Sequence, residues 1–213
     1  MSAATTAPAR ATVFGLDADE IRPLVAGVVP DGGSEDHSAS EDHWRRRFAR
    51  VAWTTLAEPG DAVAGALVAA LGPSAALELV LRRAGADLAG SGGSEEAPRP
   101  DAAAPGEAAP EGMRRADLEA GIARWSPRVS ARAVVRSLEQ SARFGIACSI
   151  PEDPWWPPGL ADLGPCAPLA LWSRGDARRI AGLVGSAAIV GSRAATDYGR
   201  DVAFELAAGL VDR

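Results

Sequence analysis

The turn at residues 191–193 has the residue types and spacing of a site that binds an anion. It reads Gly-Ser-Arg and stands between an apolar stretch, "AAIV", and a predicted helix. Gly191 allows a tight backbone turn and leaves room for a ligand. Ser192 can donate its hydroxyl to a phosphate oxygen, and Arg193 adds a forked cation. Because the helix N-terminus supplies free N–H donors and about half a positive charge, these residues predict a phosphate site.

Three residues extend this pattern into the helix that follows. Thr196 has the position of an N-cap, where its side chain would accept a hydrogen bond from the first turn. Tyr198 can support the loop or stack on a base or a sugar. Gly199 removes a side chain at a point where a ligand can approach.

A purely structural interpretation of the same turn stays open at this point. In that interpretation Arg193 forms a salt bridge with Asp197 or Asp201, and Gly191 serves only the packing of a strand on a helix. No G-x-G-x-x-G motif accompanies the turn. The residues alone therefore favour neither interpretation.

The composition restricts where an anion can bind. All 22 basic residues of the 213-residue chain are Arg, and the chain contains neither Lys nor Asn. Together with abundant Ala, Gly and Pro, this usage indicates a GC-rich, actinobacterial genome. The formal net charge of −6 argues against a nucleic-acid coat over the whole surface. Any anion site must therefore be local.

The cysteine and histidine residues predict neither a cofactor nor a metal. Cys148 and Cys166 are too widely spaced for a metal or redox motif and are expected to pack as small apolar residues. His37 and His43 lie among Asp and Glu residues, where a solvated, disordered segment is favoured over a weak metal site. A signal peptide and a membrane-spanning apolar run are not predicted, so the expected location is cytoplasmic.

Changes in composition and hydrophobic periodicity divide the chain into five predicted segments. They are a disordered N-terminal segment (residues 1–42), a helical domain (43–85), a disordered linker (86–112), a helical connection (113–145) and the start of a Rossmann-like domain (146–213).

The helical domain is predicted to contain three short helices joined by Pro-Gly and Gly-Pro turns. Asp61 is a predicted N-cap, and Gly72 and Gly85 are predicted helix ends. Such units resemble helix-hairpin-helix or sterile-alpha-motif domains. Two roles remain open for this unit, namely binding to a DNA backbone through the Gly72 turn and, as the favoured alternative, packing or protein contact. In the connection, Asp117 and Ser130 are the predicted N-caps.

The periodicity changes after Gly145. Three short apolar strands are predicted at residues 146–150, 168–172 and 187–191, with a Pro-rich turn after the first of them. Helices followed by short, continuously apolar strands favour an α/β domain with a parallel sheet.

The same region resembles the DNA-processing protein A family (DprA, also called Smf). The resemblance rests on "DPWWPPGLADL", an apolar strand ending in "LW", an Arg-Gly pair, and "VGSR" followed by Thr and "YG", all in the family's order. It implies a Rossmann-like domain that binds single-stranded DNA without sequence preference and is not an enzyme. It also implies the RecA recombinase as a partner and a homodimer. The family's DNA contacts correspond to Gly191, Ser192 and Arg193, and Thr196, Tyr198 and Gly199 match the rest of its motif.

The sequence departs from the family after residue 210. The Ser-Gly-x-Ala-x-Gly-Ile-Asp motif that follows in the family is absent, which predicts an N-terminal portion truncated within the Rossmann-like domain. Two alternatives remain. One is a Rossmann-like phosphoribohydrolase, although its Pro-Gly-Gly-x-Gly-Thr motif is missing. The other is a non-functional fragment with only a helical interaction module.

Overall fold

The computed structural model of this chain describes residues 12–30, 41–90 and 109–211. It has two compact units, residues 1–181 and 182–213. The division therefore lies near residue 181, inside a 3-10 segment (Ala177–Leu183), and not at residue 146, where the sequence predicts the start of an α/β domain.

The first unit is mainly helical in its described residues. A short hairpin of β1 and β2 precedes six helices in the described residues. The bounds of these elements are Thr12–Val13 (β1), Leu16–Asp17 (β2), Ala18–Ala26 (α1), Glu41–Leu56 (α2), Ala62–Leu71 (α3), Pro73–Gly90 (α4), Arg115–Trp125 (α5) and Ala131–Arg143 (α6).

Side-chain caps fix several of these boundaries as the sequence predicts. The Asp61 carboxylate accepts hydrogen bonds from the N–H groups of Val63 and Ala64 at 3.0 and 3.2 Å. Ser130 accepts one from the N–H of Ala133 at the start of α6. Gly72 ends α3 with φ at 80°, a backbone conformation that favours glycine. The caps at Asp61 and Ser130 and the end at Gly72 are confirmed.

Two other predicted boundaries are wrong. Helix α4 continues through Gly85 to Gly90, because Gly85 does not adopt the left-handed conformation that terminates a helix. Residues 86–90 of the predicted linker are therefore helical, while residues 91–108 lie outside the described part of the chain. Helix α5 begins at Arg115, and Asp117 lies within its first turn, where it pairs with Arg114 at 2.7 Å.

Residues 12–30 form part of the fold, so the predicted disorder over residues 1–42 is wrong for this stretch. Asp17 caps α1 by accepting from the N–H of Asp19 at 2.9 Å. Ile21 and Val25 are buried in the core, because α1 places them on one face, and Val28, just after the helix, is buried as well. Residues 1–11 and 31–40, with His37 among them, lie outside the described residues.

The core of the first unit surrounds α2. Trp53 on α2 packs edge to face against Trp125, with ring centres 5.2 Å apart. Both indole N–H groups are satisfied, since Trp53 donates to the Pro73 carbonyl at 3.1 Å and Trp125 to Asp61 at 3.0 Å. These contacts join helices that the sequence assigns to two segments. The helix-hairpin-helix or sterile-alpha-motif resemblance is not confirmed.

The sheet after α6 differs from the predicted one. Strands β3 (Ile146–Ser149) and β4 (Leu171–Arg174) pair antiparallel, with Ile146 opposite Arg174 and Ser149 opposite Leu171. The parallel arrangement is wrong because the connection contains only a 3-10 segment (Pro158–Cys166), not a helix that crosses over the sheet. An α/β class is consistent with helices around this small sheet, but a Rossmann-like arrangement is not confirmed.

The second unit consists of an irregular stretch and helix α7 (Asp197–Val211). The strand predicted at residues 187–191 does not form, and Val190 is 89% exposed. A strand needs a neighbour for its backbone hydrogen bonds, and no neighbour is present among the described residues of this unit. None of the described residues of α7 is buried.

No single helix in the described ranges is both long enough and apolar enough to cross a membrane. Helices α3 and α4 satisfy these criteria of length and composition only when counted together, across a bend of 115°.

Candidate nucleic-acid interface

The glycine turn of the second unit is open to solvent. Gly191 is exposed, and a Cβ placed on it would meet no atom within 4 Å. Its φ is not in the left-handed region, so the backbone conformation here does not itself demand glycine. The Ser192 hydroxyl accepts a hydrogen bond from the N–H of Ala194 at 3.2 Å, which leaves its own hydrogen available for donation. The turn thus offers space and a donor.

Thr196 is the N-cap of α7, as the sequence predicts. Its side-chain oxygen accepts a hydrogen bond from the N–H of Gly199 at 3.2 Å. The first intrahelical bond runs from the N–H of Arg200 to the carbonyl of Thr196 at 3.0 Å. The N–H groups of Asp197 and Tyr198 precede it and point out of the helix end, where an anion is favoured.

Arg193 is exposed and makes no ion pair with any residue in the described ranges. Asp197, one of its two candidate partners, instead pairs with Arg200. The Tyr198 ring is 79% exposed and makes no ring contact within the described part of the chain. The six predicted site residues thus share one short exposed segment, because the turn and the first helical turn bring them together locally.

A second group of charged residues, which the sequence analysis missed, lies buried in the first unit. Arg47 on α2 binds the Asp153 carboxylate with both terminal nitrogens, at 3.0 and 2.5 Å. Arg47 also donates to the Cys148 carbonyl. Asp153 accepts a further hydrogen bond from the N–H of Ile150 at 2.8 Å. This pair fixes the turn that follows β3 onto α2.

A neighbouring pair repeats the arrangement at the edge of the same contact. Arg50, one turn further along α2, binds Glu152 through two hydrogen bonds of 2.8 Å. Its remaining terminal nitrogen donates to the Leu169 carbonyl at 3.1 Å. The "PEDP" turn and the segment before β4 are thus held by arginines of one helix.

His43 joins this cluster and is not part of a disordered segment. Its Nε2 lies 3.1 Å from Arg47 Nη2 and 3.5 Å from Asp153 Oδ1. Burial lowers the pKa of His43, and the positive charge of Arg47 lowers it further, while Asp153 opposes both effects. Among the described residues, His43 belongs to no group of three or more metal-ligating side chains.

The two cysteines differ from each other. Cys148 is fully buried on β3, and burial raises the pKa of its thiol to about 12, so it packs as an apolar residue, as predicted. Cys166 is exposed, so the same prediction is wrong for it.

One sequence signal could have revealed the buried arginines. Arg47 and Arg50 are three residues apart, and each directly precedes a completely buried residue, Phe48 and Val51 respectively. An arginine next to the apolar stripe of a helix must bury its stem and therefore needs a partner for its charge. The identity of that partner, about a hundred residues later, is not visible in the sequence.

Comparisons with known proteins point to one family. The family described as DNA recombination-mediator protein A matches residues 147–213. Two Mycobacterium tuberculosis proteins named as DNA processing protein DprA, from strains CDC 1551 / Oshkosh and ATCC 25618 / H37Rv, are each 42% identical over 86 residues. No solved structure matches the chain.

The match covers 36% of this chain and 22% of each relative, so the chain spans well under half the length of the curated relatives. The segment matched by the family contains the turn held by Arg47, strand β4, the glycine turn and α7. Over residues 147–213, the chain is therefore similar to the DNA recombination-mediator protein A family.

Proposed function

We propose that this chain takes part in DNA recombination by binding single-stranded DNA, without sequence preference, at the turn from Gly191 to Gly199. The observation that carries the proposal is the exposed Arg193, which has no ion pair among the described residues and stands beside the N-terminus of α7. As the resemblance to this family implies, the protein would act in natural transformation and pass the strand to the RecA recombinase in the cytoplasm.

The chemistry of the turn suits a phosphate of the DNA backbone. Arg193 supplies a forked cation, and Ser192 and the first N–H groups of α7 supply donors. None of these groups distinguishes one base from another, so the contact would be independent of sequence. Tyr198, with its ring exposed, provides a face on which a base can stack.

The proposal is one of binding rather than catalysis. A phosphoribohydrolase of related fold would need a Pro-Gly-Gly-x-Gly-Thr string, and this sequence has none. No observation on the described residues favours that enzyme over a DNA-binding protein. The proposal also includes the homodimer that the family resemblance implies.

The proposal is tested by the affinity of the full chain for labelled single-stranded oligonucleotides of several sequences. We expect Arg193→Ala to weaken binding to all of them by a similar factor, since the lost contact is to phosphate. Arg193→Lys should recover part of the affinity, because lysine keeps the charge but loses the fork.

Arg200→Ala is the matched control. Arg200 lies in the same unit and carries the same charge, but it is already paired with Asp197. We expect its removal to change affinity less than removal of Arg193. Equal effects of the two substitutions, or a loss confined to one oligonucleotide sequence, would contradict a phosphate contact at Arg193.

A further inference from the structure

Helix α6 carries a row of arginines on its solvent-facing side. Arg132, Arg136 and Arg143 are exposed and lie four and seven residues apart, which places them on one helix face. Val134 and Leu138 are fully buried on the opposite face and fix the orientation of the helix. The row spans about 16 Å along the helix axis.

These arginines have no ion-pair partner in the part of the chain that the structure describes. The two arginines just before α6 differ in this respect, because Arg124 pairs with Asp61 at 3.1 Å and Arg128 with Glu58 at 2.5 Å. Glu139 is the one carboxylate of α6 on the arginine face, and it makes no ion pair among the described residues. The face therefore keeps an excess of positive charge on a chain whose net charge is −6.

An exposed aromatic ring stands at the end of this row. Phe144 is 59% exposed, and the guanidinium carbon of Arg143 lies 5.9 Å from the centre of its ring. The antiparallel register places Ile146 opposite Arg174, so the end of β4 comes next to the end of α6. Arg174 is exposed and makes no ion pair with a described residue.

A groove of about 380 Å³ opens beside this point. Backbone and small side chains form much of it, and its lining includes Gly145, Ile146, Ala147, Gly175 and Asp176. The Asp176 carboxylate lies 3.6 Å from Arg178 and 3.5 Å from Arg179, so its charge is countered within the loop. The groove therefore does not oppose an anionic ligand.

We propose that these residues form a second contact for single-stranded DNA, an inference that rests on the proposed function. We name the surface the arginine platform, and it consists of Arg132, Arg136, Arg143, Phe144 and Arg174. The arginines would lie along the phosphates of the strand, and Phe144 would stack on a base at the mouth of the groove. A row of cations suits an extended polyanion, and an accessible ring needs a base that is not already stacked in a duplex.

The test compares two triple variants of the full chain in binding to fluorescein-labelled oligothymidylate. The first is Arg132→Ala/Arg136→Ala/Arg143→Ala. The control is Arg82→Ala/Arg114→Ala/Arg115→Ala, which removes the same charge from exposed arginines of the same unit that are paired with Glu78, Asp117 and Glu119. Circular dichroism and thermal melting verify that both variants fold.

We expect the platform variant to bind more weakly and to flatten the slope of log K against log salt by about two, since each lost phosphate contact on a single strand contributes about 0.7. The control variant should keep most of the wild-type affinity and most of the wild-type salt slope. Phe144→Ala alone should lower affinity about fivefold or more, with little change in slope, because stacking is not an ionic contact. Phe144→Trp should retain the affinity.

The outcomes separate this inference from the proposed function. If Arg193→Ala weakens binding while the platform variant binds like the control, the platform is wrong and the proposed function stands. If the platform variant alone weakens binding, the platform stands and the glycine turn is not the site. A preference for duplex DNA over oligothymidylate would overturn the role of Phe144, and a wild-type chain that binds no single-stranded DNA would overturn both proposals.

Discussion

Two arginines, one from each unit of this chain, have opposite surroundings. In the first unit, Arg47 is 1% exposed, and both of its terminal nitrogens bind one carboxylate, that of Asp153. In the second, Arg193 is exposed and lacks an ion pair among the described residues. Burial of a charge demands an internal partner, whereas a solvated charge remains free for a ligand. In a chain whose basic residues are all arginine, surroundings rather than residue type therefore separate structural from binding roles.

Two phenylalanines, one from each unit, show the same contrast. Phe48 is completely buried against the core around α2, whereas Phe204 on α7 is 75% exposed. Helix α7 also exposes Leu206, Leu210 and Val211. Burial of such side chains stabilises a fold in proportion to the apolar area removed from water. The first unit should therefore carry most of the stability of the described chain.

The largest effect is expected at the buried pair of the first unit. Arg47→Met leaves the buried Asp153 carboxylate without the guanidinium that pairs with it, which should cost about 3–5 kcal/mol of the free energy of unfolding. Arg47→Met/Asp153→Asn removes both charges and keeps an acceptor for the N–H of Ile150. We expect this double variant to be more stable than the single one in urea denaturation.

Arg115→Met, which breaks an exposed ion pair, is the control for the buried pair. Arg115 contacts Glu119 at 2.7 Å with its side chain 66% exposed, so its loss should cost less than about 1 kcal/mol. If Arg47→Met were as mild as Arg115→Met, or if the double variant were less stable than the single one, the buried pair would not have the role described here.

Features set by neighbouring residues could be predicted from the sequence. Asp61 and Ser130 cap helices through bonds that span two or three residues, and Thr196 does the same. Features that depend on contacts between distant residues could not be predicted from the sequence. Arg47 and Asp153 are 106 positions apart, and the direction in which β4 pairs with β3 depends on the path of the chain between them.

The glycine turn illustrates the same limit at the candidate site. Its six residues lie within nine positions, so their proximity follows from the sequence alone. The sequence offers Arg193 two carboxylate partners, Asp197 and Asp201, and it does not show that Asp197 pairs with Arg200 instead. The apolar stretch before the turn predicts a strand, but a strand requires a hydrogen-bonded neighbour that local sequence does not provide.

A smaller, pH-dependent effect is expected at His43. Because burial and Arg47 lower its pKa below the usual 6.5, protonation favours the unfolded chain. Stability from this group is complete above about pH 6.5 and decreases as the pH falls from there through the lowered pKa. Arg47, Asp153 and Glu152 are the charged groups that face it.

Urea denaturation between about pH 8 and pH 5 measures this effect, since histidine is the side chain that ordinarily titrates there. We expect His43→Gln to flatten the dependence of the unfolding free energy on pH. An unchanged slope in this variant, or higher stability of the wild-type chain at the acidic end, would show that His43 is not held in its neutral form.

The smallest effect on stability is expected at Phe204, and it tests whether the exposed side chains of α7 contribute less to stability than the buried ones of α2. Because the side chain is mostly exposed, Phe204→Ala should change the unfolding free energy by no more than about 0.5 kcal/mol. Phe48→Ala should cost about 3–5 kcal/mol, since it leaves a cavity in the core. Similar losses for the two variants in urea denaturation would mean that α7 is packed as firmly as α2.

The salt dependence of single-stranded DNA binding tests the central claim most directly. Arg193 is proposed to neutralise one phosphate, and each such contact on a single strand contributes about 0.7 to the slope of log K against log salt. We predict that Arg193→Ala reduces the slope of the full chain by about this amount, while Arg200→Ala leaves it nearly unchanged. A slope that Arg193→Ala does not alter would contradict the assignment of the glycine turn as the DNA contact.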